Sequence, residues 1–263
     1  MQKLVGIRGH RGAGKESVAY LLAQSLELIR RHDEPGFELA YDVNYKDWVQ
    51  ELVKDKDSAI GQLDLLYVYL DAFGDAPKAM ILQLLGCDPK YMWEDYWKDH
   101  AVVDLRTFEI EEVDELPERL ISPSQMMSCC PFYLNDELGG ECKMSLRDFI
   151  LYFGQSVMQK YFGKDVWVKS TAMNDALNAE YFEDGIRIYR DIKAPTELTY
   201  LIDRQAVIIN VERKGYKKKG GLDLLKDDTR WDYNLQIKGD DLMSIKDDIE
   251  KIAKDIYYGK SDN

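Results

Sequence analysis

The sequence predicts a parallel α/β fold, one sheet flanked by helices on both faces, and three observations predict it. Short apolar runs that read as buried strands alternate with longer stretches whose apolar residues recur at helical spacing. The first strand and the first helix are joined directly by a glycine-rich turn, Gly9 to Gly14. The polar groups suited to chemistry, around Lys15, at Asp191 and after Val211, fall at predicted strand ends. Ligands of open α/β sheets bind beyond the carboxyl ends of the strands.

Leu4, Val5 and Ile7 form the first strand, and Val18, Leu21, Leu22, Ser25 and Leu26 follow at helical spacing. The spacing Gly9-x-x-x-x-Gly14-Lys15 between them is that of a phosphate-binding P-loop, so a P-loop NTPase fold is expected. In such a loop the backbone N–H groups of Gly9, Arg11, Gly12, Ala13, Gly14, Lys15, Glu16 and Ser17 turn toward the phosphate oxygens of ATP. The helix that starts near Lys15 adds the positive end of its dipole. Lys15 reaches the β- and γ-phosphates. The motif usually has Ser or Thr directly after the Lys. Here Glu16 stands there and Ser17 comes one place later, which makes Ser17 the candidate hydroxyl for Mg²⁺. A glycine-rich strand-to-helix turn that binds nothing is the alternative reading of the same stretch.

Length and composition narrow the field. The 263 residues are 45% apolar and 32% charged, as expected of a globular chain with a sizeable core. No apolar stretch is long enough to span a membrane, and a strand that begins almost at the N-terminus is expected to leave no room for a signal peptide. Cys87, Cys129, Cys130 and Cys142 lack paired zinc spacing, which predicts reduced thiols and a cytoplasmic setting. A net charge of −13 argues against a nucleic-acid partner, because phosphate backbones need a broad basic face. Small anionic ligands remain compatible with it. A homodimer stays open.

Along the chain, Arg30–Gly36 reads as a polar turn, Phe37–Tyr41 as a second strand and Asp47–Lys56 as a helix with Trp48, Val49 and Leu52 on one side. Leu65–Phe73 fits a buried strand or helix. Ala76–Leu85 reads as a helix with Pro77 in its first turn and Gly86 as its cap. Residues 104–143 lack periodicity, carry the acidic run Glu109–Glu118, and read as an inserted loop or small subdomain in an otherwise single domain of residues 1–263. Ser145 to Asp148 resembles a capping box, and Leu146, Phe149, Ile150, Phe153 and Val157 continue it as a helix. Arg147, Leu151 and Gly154 fall on a second line of that helix, with Gln155 at its edge. This line faces either a ligand or a neighbouring element. Gly185–Asp191 is an alternating strand whose terminal Asp191 suits water-mediated magnesium binding or a plain turn cap. Ala206–Val211 is a further strand. Arg213, Lys214, Lys217, Lys218 and Lys219 give five cations in seven residues, either a lid over 213–230 or a solvated turn. Asn234–Lys238 reads as the last strand and Ile245–Ile256 as the closing amphipathic helix.

Several blocks, in order, resemble the phage-type deoxynucleoside monophosphate kinases. Gly14-Lys15-Glu16-Ser17-Val18-Ala19 is similar to that family's Gly-Lys-Asp-Thr-Val-Ala. Ala72–Lys78 resembles its Phe-Ala-Asp-Pro-Leu-Lys. Leu146-Arg147 with Phe153-Gly154-Gln155, followed by Asp165–Val168, resembles its helix and the Asp-x-Trp after it. Asp191-Ile-Lys193-Ala-Pro195-Thr-Glu197 is similar to its Asp-Val-Arg-Phe-Pro-Asn-Glu, and Asp232–Ile237 matches a late strand loosely. The blocks cover most of the chain outside 104–143, and only the first is specific by itself. The resemblance implies an enzyme that moves the γ-phosphoryl of ATP, with Mg²⁺, to a deoxynucleoside monophosphate. It implies Asp75, Lys78, Arg147, Gln155, Trp167 and Lys193 at the acceptor, and Lys15, Asp191 and Arg213 around the moving phosphoryl. Lys193 stands where the family has Arg, and the segment after Val211 is rich in Lys where the family uses Arg. Another small-molecule P-loop kinase, similar to dephospho-coenzyme A kinase, and a nucleotide-binding protein without catalysis are the other readings.

Overall fold

The computed structural model of the chain describes residues 3–10, 12–33, 45–56, 59, 67–128, 142–177, 185–215 and 230–259. The strands are β1 (Lys3–Gly9), β2 (Val68–Asp71), β3 (Ala101–Asp104), β4 (Ile110–Glu112), β5 (Lys143–Ser145), β6 (Ile186–Ile192), β7 (Val207–Lys214) and β8 (Tyr233–Lys238). The main helices are α1 (Lys15–Asp33), α2 (Tyr45–Lys54), α3 (Asp75–Leu85), α4 (Leu146–Leu151), α5 (Val166–Leu177), α6 (Pro195–Asp203) and α7 (Lys246–Tyr258). The chain divides into two compact units, residues 1–73 with 172–263, and residues 74–171.

The first unit is built on a five-stranded sheet in the order β2-β6-β1-β7-β8, with every pairing parallel. Parallel strands need covering on both faces, and the side-chain alternation of β1 shows how each is covered. Val5 and Ile7 point to one face, where they pack with Val18, Leu22 and Leu26 of α1 and with Ile249 and Ile252 of α7. These side chains are fully or almost fully buried, so truncating Leu22 to Ala is expected to cost about 2–5 kcal/mol. Gly6 points to the other face. A Cβ there would lie 2.5 Å from Ile192 Cδ1 and 2.7 Å from Leu201 Cδ1, so α6 reaches the sheet only because residue 6 has no side chain. The expected parallel sheet with helices on both faces is therefore present. Two of the charges placed under it are paired: Glu27 accepts from Tyr67 N at 3.0 Å and Arg31 Nε at 3.1 Å, and Arg187 pairs with Asp71 and Asp175.

The second unit has its own core around Ile81, Met92, Val103, Met144, Leu146 and Phe149. Its sheet is antiparallel, order β4-β3-β5, a departure from the all-parallel expectation. Ala101–Asp104 is too short a run for periodicity to reveal it. The described part of 104–143 contributes β4 and a helical turn at Pro123–Ser128. Gly86 closes α3 at φ 60°, the left-handed cap its position predicts. Of the stretch Leu65–Phe73, residues 67–73 are described and hold strand β2 (Val68–Asp71), and the expected strand at Phe37–Tyr41 lies outside the described residues.

The helix expected from Ser145 onward is corrected in its second half. Ser145 caps it as read, accepting from Asp148 N at 3.1 Å, but α4 ends at Leu151 and residues Tyr152–Gln159 form a π-helix. The cause is visible at Gly154, whose carbonyl accepts from the indole Nε1 of Trp167 at 2.9 Å. A side-chain donor that takes a helix carbonyl loosens the regular ladder at that point. Among the described residues no helix is long and apolar enough to cross a membrane.

Candidate functional site

The turn after β1 is shaped by its glycines. Gly9 has φ 153° and is paired with Val211 of β7, and a Cβ on it would lie 2.4 Å from the Val211 carbonyl oxygen. No side chain fits there. Gly12 and Gly14 hold φ values of 82° and 94°, and a Cβ on Gly14 would press Ile237 Cδ1 at 2.9 Å. Ala13 N donates to His10 O at 3.0 Å, and Val18 N donates to Gly14 O at 2.9 Å, which starts α1. Arg11 lies outside the described residues.

Lys15 folds back across this turn. Its Nζ donates to Gly9 O at 2.8 Å and His10 O at 3.0 Å, and stands 3.4 Å from Asp191 Oδ1. Asp191 reaches that place through an irregularity in β6. Gly6 pairs with Tyr189, but Arg8 pairs with Ile192, so the register slips by one residue and Ile192 takes the position Asp191 would otherwise hold. Such slips re-aim side chains. Asp191 Oδ1 is buried and, among the described residues, has no hydrogen-bond partner beside the Lys15 charge, while the other oxygen is ion-paired with Lys193. The turn that follows is fixed by Glu197, which accepts from Lys193 N at 2.7 Å and Ala194 N at 2.9 Å. Burial pushes the Glu197 carboxyl above its ordinary range.

Arg213 serves the same turn from behind. It belongs to β7 and does not open a separate segment as the sequence reading expects. Its Nη1 donates to Gly12 O at 3.2 Å, its Nε to Gly239 O at 2.7 Å, and Nη2 pairs with Asp240 at 2.8 Å. Gly9, Gly12, Ala13, Gly14, Lys15, Ser17, Asp191, Lys193 and Arg213 are thus gathered at the carboxyl end of the parallel sheet. Ser17 lies half-buried in the first turn of α1, whereas Glu16 turns outward to pair with Lys56. Of the expected lid over 213–230, residues 216–229 lie outside the described residues.

The remaining expected site residues belong to the second unit. Asp75 and Lys78 pair with each other at 3.2 Å. Gln155 is exposed on the π-helix, and Trp167 is buried against Gly154 rather than open to a ligand. Gly154 also brings the three sequence blocks of this unit together: a Cβ on it would lie 3.8 Å from Pro77 Cβ and 3.9 Å from Trp167 Nε1. Arg147 meets Asp99 in a two-pronged ion pair, Nε to Oδ1 at 2.7 Å and Nη2 to Oδ2 at 2.9 Å. Sequence reasoning missed Asp99 and Asp240, since neither follows a motif. It also missed Asp175, which binds Arg187, Tyr189 and Tyr200 under α6.

Among the described residues no group of three or more His, Cys, Asp or Glu side chains could hold a metal ion. Magnesium on a nucleotide does not need one, because it takes most of its ligands from water and phosphate and one or two from the protein. Asp191, whose buried Oδ1 faces Lys15 without a hydrogen bond among the described residues, fits that part, and Ser17 lies two residues after Lys15. The chain matches no protein-family model and no curated protein.

Proposed function

We propose that the turn Gly9–Lys15 is a P-loop that holds the phosphates of ATP, and that the chain transfers the γ-phosphoryl to a small acceptor. The observation that carries this reading is Lys15 lying over the turn within 3.4 Å of Asp191. A cation and a carboxylate at the mouth of a glycine turn, beside the N-terminus of a 19-residue helix, suit a magnesium-bound polyphosphate. Lys15 would leave its two carbonyl acceptors for phosphate oxygens. Bound Mg²⁺ would supply charge neutralisation, with Asp191 and Ser17 as the residues that hold it. An acceptor oxygen then bonds to the γ-phosphorus as the β–γ bridging bond breaks and ADP leaves. Such transfer depends on positioning and charge more than on covalent help from the protein.

The acceptor class rests on the sequence blocks. The order of the Asp75–Lys78, Arg147, Gln155, Trp167 and Asp191–Glu197 segments supports a deoxynucleoside monophosphate. The test is ADP release from ATP and Mg²⁺ in a coupled assay across the four deoxynucleoside monophosphates, ribonucleotides and dephospho-coenzyme A. Turnover confined to deoxynucleotides supports the proposal, and turnover with dephospho-coenzyme A alone replaces the acceptor. Nucleotide binding without transfer is the second reading. The observation favouring it is that the arginine expected at the acceptor is engaged by Asp99 and the lysine expected there by Asp191. ATP binding without ADP release for any of the acceptors would select it.

A further inference from the structure

We propose that Arg8 is the charged centre of an oxyanion-binding site on the α6 face of the parallel sheet, separate from the Gly9–Lys15 turn. Arg8 is the penultimate residue of the central strand β1 and is only 4% exposed. Its Nε and Nη1 are buried and have no hydrogen-bond partner among the described residues. A guanidinium stays charged at any physiological pH, and burying one with donors unmet is costly. An apolar residue of similar length would fill the same space without that penalty.

The surroundings are built for a polar guest. Arg8 stands opposite Asn210 on β7, and Asn210 opposite Asn234 on β8. By the two-residue alternation of strands, Arg8 shares the face of Gly6, and Asn210 that of Ile208, whose Cδ1 lies 3.0 Å from where a Gly6 Cβ would be. The level of Arg8, Asn210 and Asn234 is therefore a polar row across three neighbouring strands. Asn210, 6% exposed, donates to Asn234 Oδ1 at 2.7 Å and Glu212 Oε1 at 3.2 Å, and Gln236 donates to the other oxygen of Glu212 at 3.4 Å. Glu212, two residues beyond Asn210 on β7, is thus held by two amides. The guanidinium carbon lies 5.5 Å from the ring centre of Trp231, which is 38% exposed and forms the outer wall. A cation with donors to spare, flanked by amides and an aromatic wall at the carboxyl end of a strand, selects a phosphoryl or carboxylate group of a small ligand.

The site is tested in the full chain and in Lys15→Ala, which removes the lysine of the neighbouring turn. Arginine side-chain ¹H–¹⁵N spectra are recorded while inorganic phosphate, ADP or succinate is added, and the Arg8 Nε–H signal is identified by its loss in Arg8→Lys. The expected result is a saturable shift of that signal in both proteins. A shift with phosphate assigns a free or transferable phosphoryl group, one with ADP alone assigns a nucleotide, and one with succinate alone assigns a carboxylate. Calorimetry should then show affinity for the active anion falling tenfold or more in Lys15→Ala/Arg8→Met relative to Lys15→Ala. An Arg8 signal unmoved by all three anions overturns the proposal, and because it is read in the unsubstituted chain this holds even if Arg8→Met does not fold. Equal anion affinity with and without Arg8 overturns it as well.

Discussion

Lys15 Nζ stands 3.4 Å from Asp191 Oδ1, and the two residues come to this contact from different elements, the start of α1 and the end of β6, by different devices. Lys15 is delivered by a turn whose glycines adopt conformations other residues resist. Asp191 is delivered by a one-residue slip in the pairing of β6 with β1. Under the proposed function the pair marks where phosphate and magnesium sit. Replacing Asp191 by Asn keeps the shape and removes the charge. The expected outcome is a Mg²⁺ requirement raised about 10–100-fold, the range seen when a group acting on a metal through water or a ligand is lost. Turnover titrated against Mg²⁺ measures it, and an unchanged half-saturation point would leave Asp191 as a turn residue only.

Gly9 and Gly86 separate two kinds of glycine requirement. At Gly86 a Cβ would meet nothing within 4 Å, so Gly86→Ala is charged only with the left-handed backbone, about 1–2 kcal/mol. At Gly9 the same methyl would meet the Val211 carbonyl at 2.4 Å, and neither strand can yield without opening the β1–β7 pair. Gly9→Ala should therefore lower the melting temperature clearly more than Gly86→Ala. Equal losses in thermal unfolding would contradict the steric account.

Arg147 and Asp99 give a prediction in the opposite direction from a usual loss-of-contact experiment. The pair is partly exposed and worth only about 0.2–1 kcal/mol to stability. If Arg147 meets the acceptor phosphate, Asp99 competes with that phosphate for it. Asp99→Asn should then lower the acceptor KM by a few-fold, Arg147→Ala should raise it, and ATP affinity should stay the same in both. Opposite signs, or a parallel change in ATP affinity, would remove Arg147 from the acceptor site.

Tyr20 links the α1 core to alkaline stability. Burial first, and then the hydrogen bond to Glu51 at 2.7 Å, push its phenol up to about 12. A folded pKa above the unfolded value of 10.0 means the contribution is complete below about pH 10 and disappears as pH rises toward about 12. Tyr20→Phe should flatten that part of the stability profile. Urea midpoints of the two proteins at about pH 9 and about pH 11 give the slope, and identical slopes would contradict it.

The sequence made the sheet and its glycine turn readable because both depend on local signals. Apolar runs marked β1, β6, β7 and β8, and the spacing of Gly9, Gly14 and Lys15 marked the turn. What stayed hidden depends on contacts distant in sequence. The π-helix at Tyr152–Gln159 follows from Trp167 reaching back to Gly154, thirteen residues earlier. The engagement of Arg147 depends on Asp99, forty-eight residues away, and that of Arg213 on Gly12, two hundred and one residues away. The role proposed for Arg8 rests on its burial and its register with Asn210. Periodicity cannot see any of these, because each is a meeting of elements and not a property of one.

The central claim, that Gly9–Lys15 holds the phosphates of ATP, is tested most directly by calorimetric titration of the chain with ATP and Mg²⁺, alongside Lys15→Ala. The expected result is saturable binding of one nucleotide per chain, weakened about 100-fold or more in Lys15→Ala while its melting temperature is unchanged, as for loss of a cation aimed at the phosphates. Absence of binding by the unsubstituted chain, or equal affinity in the two proteins, would contradict it.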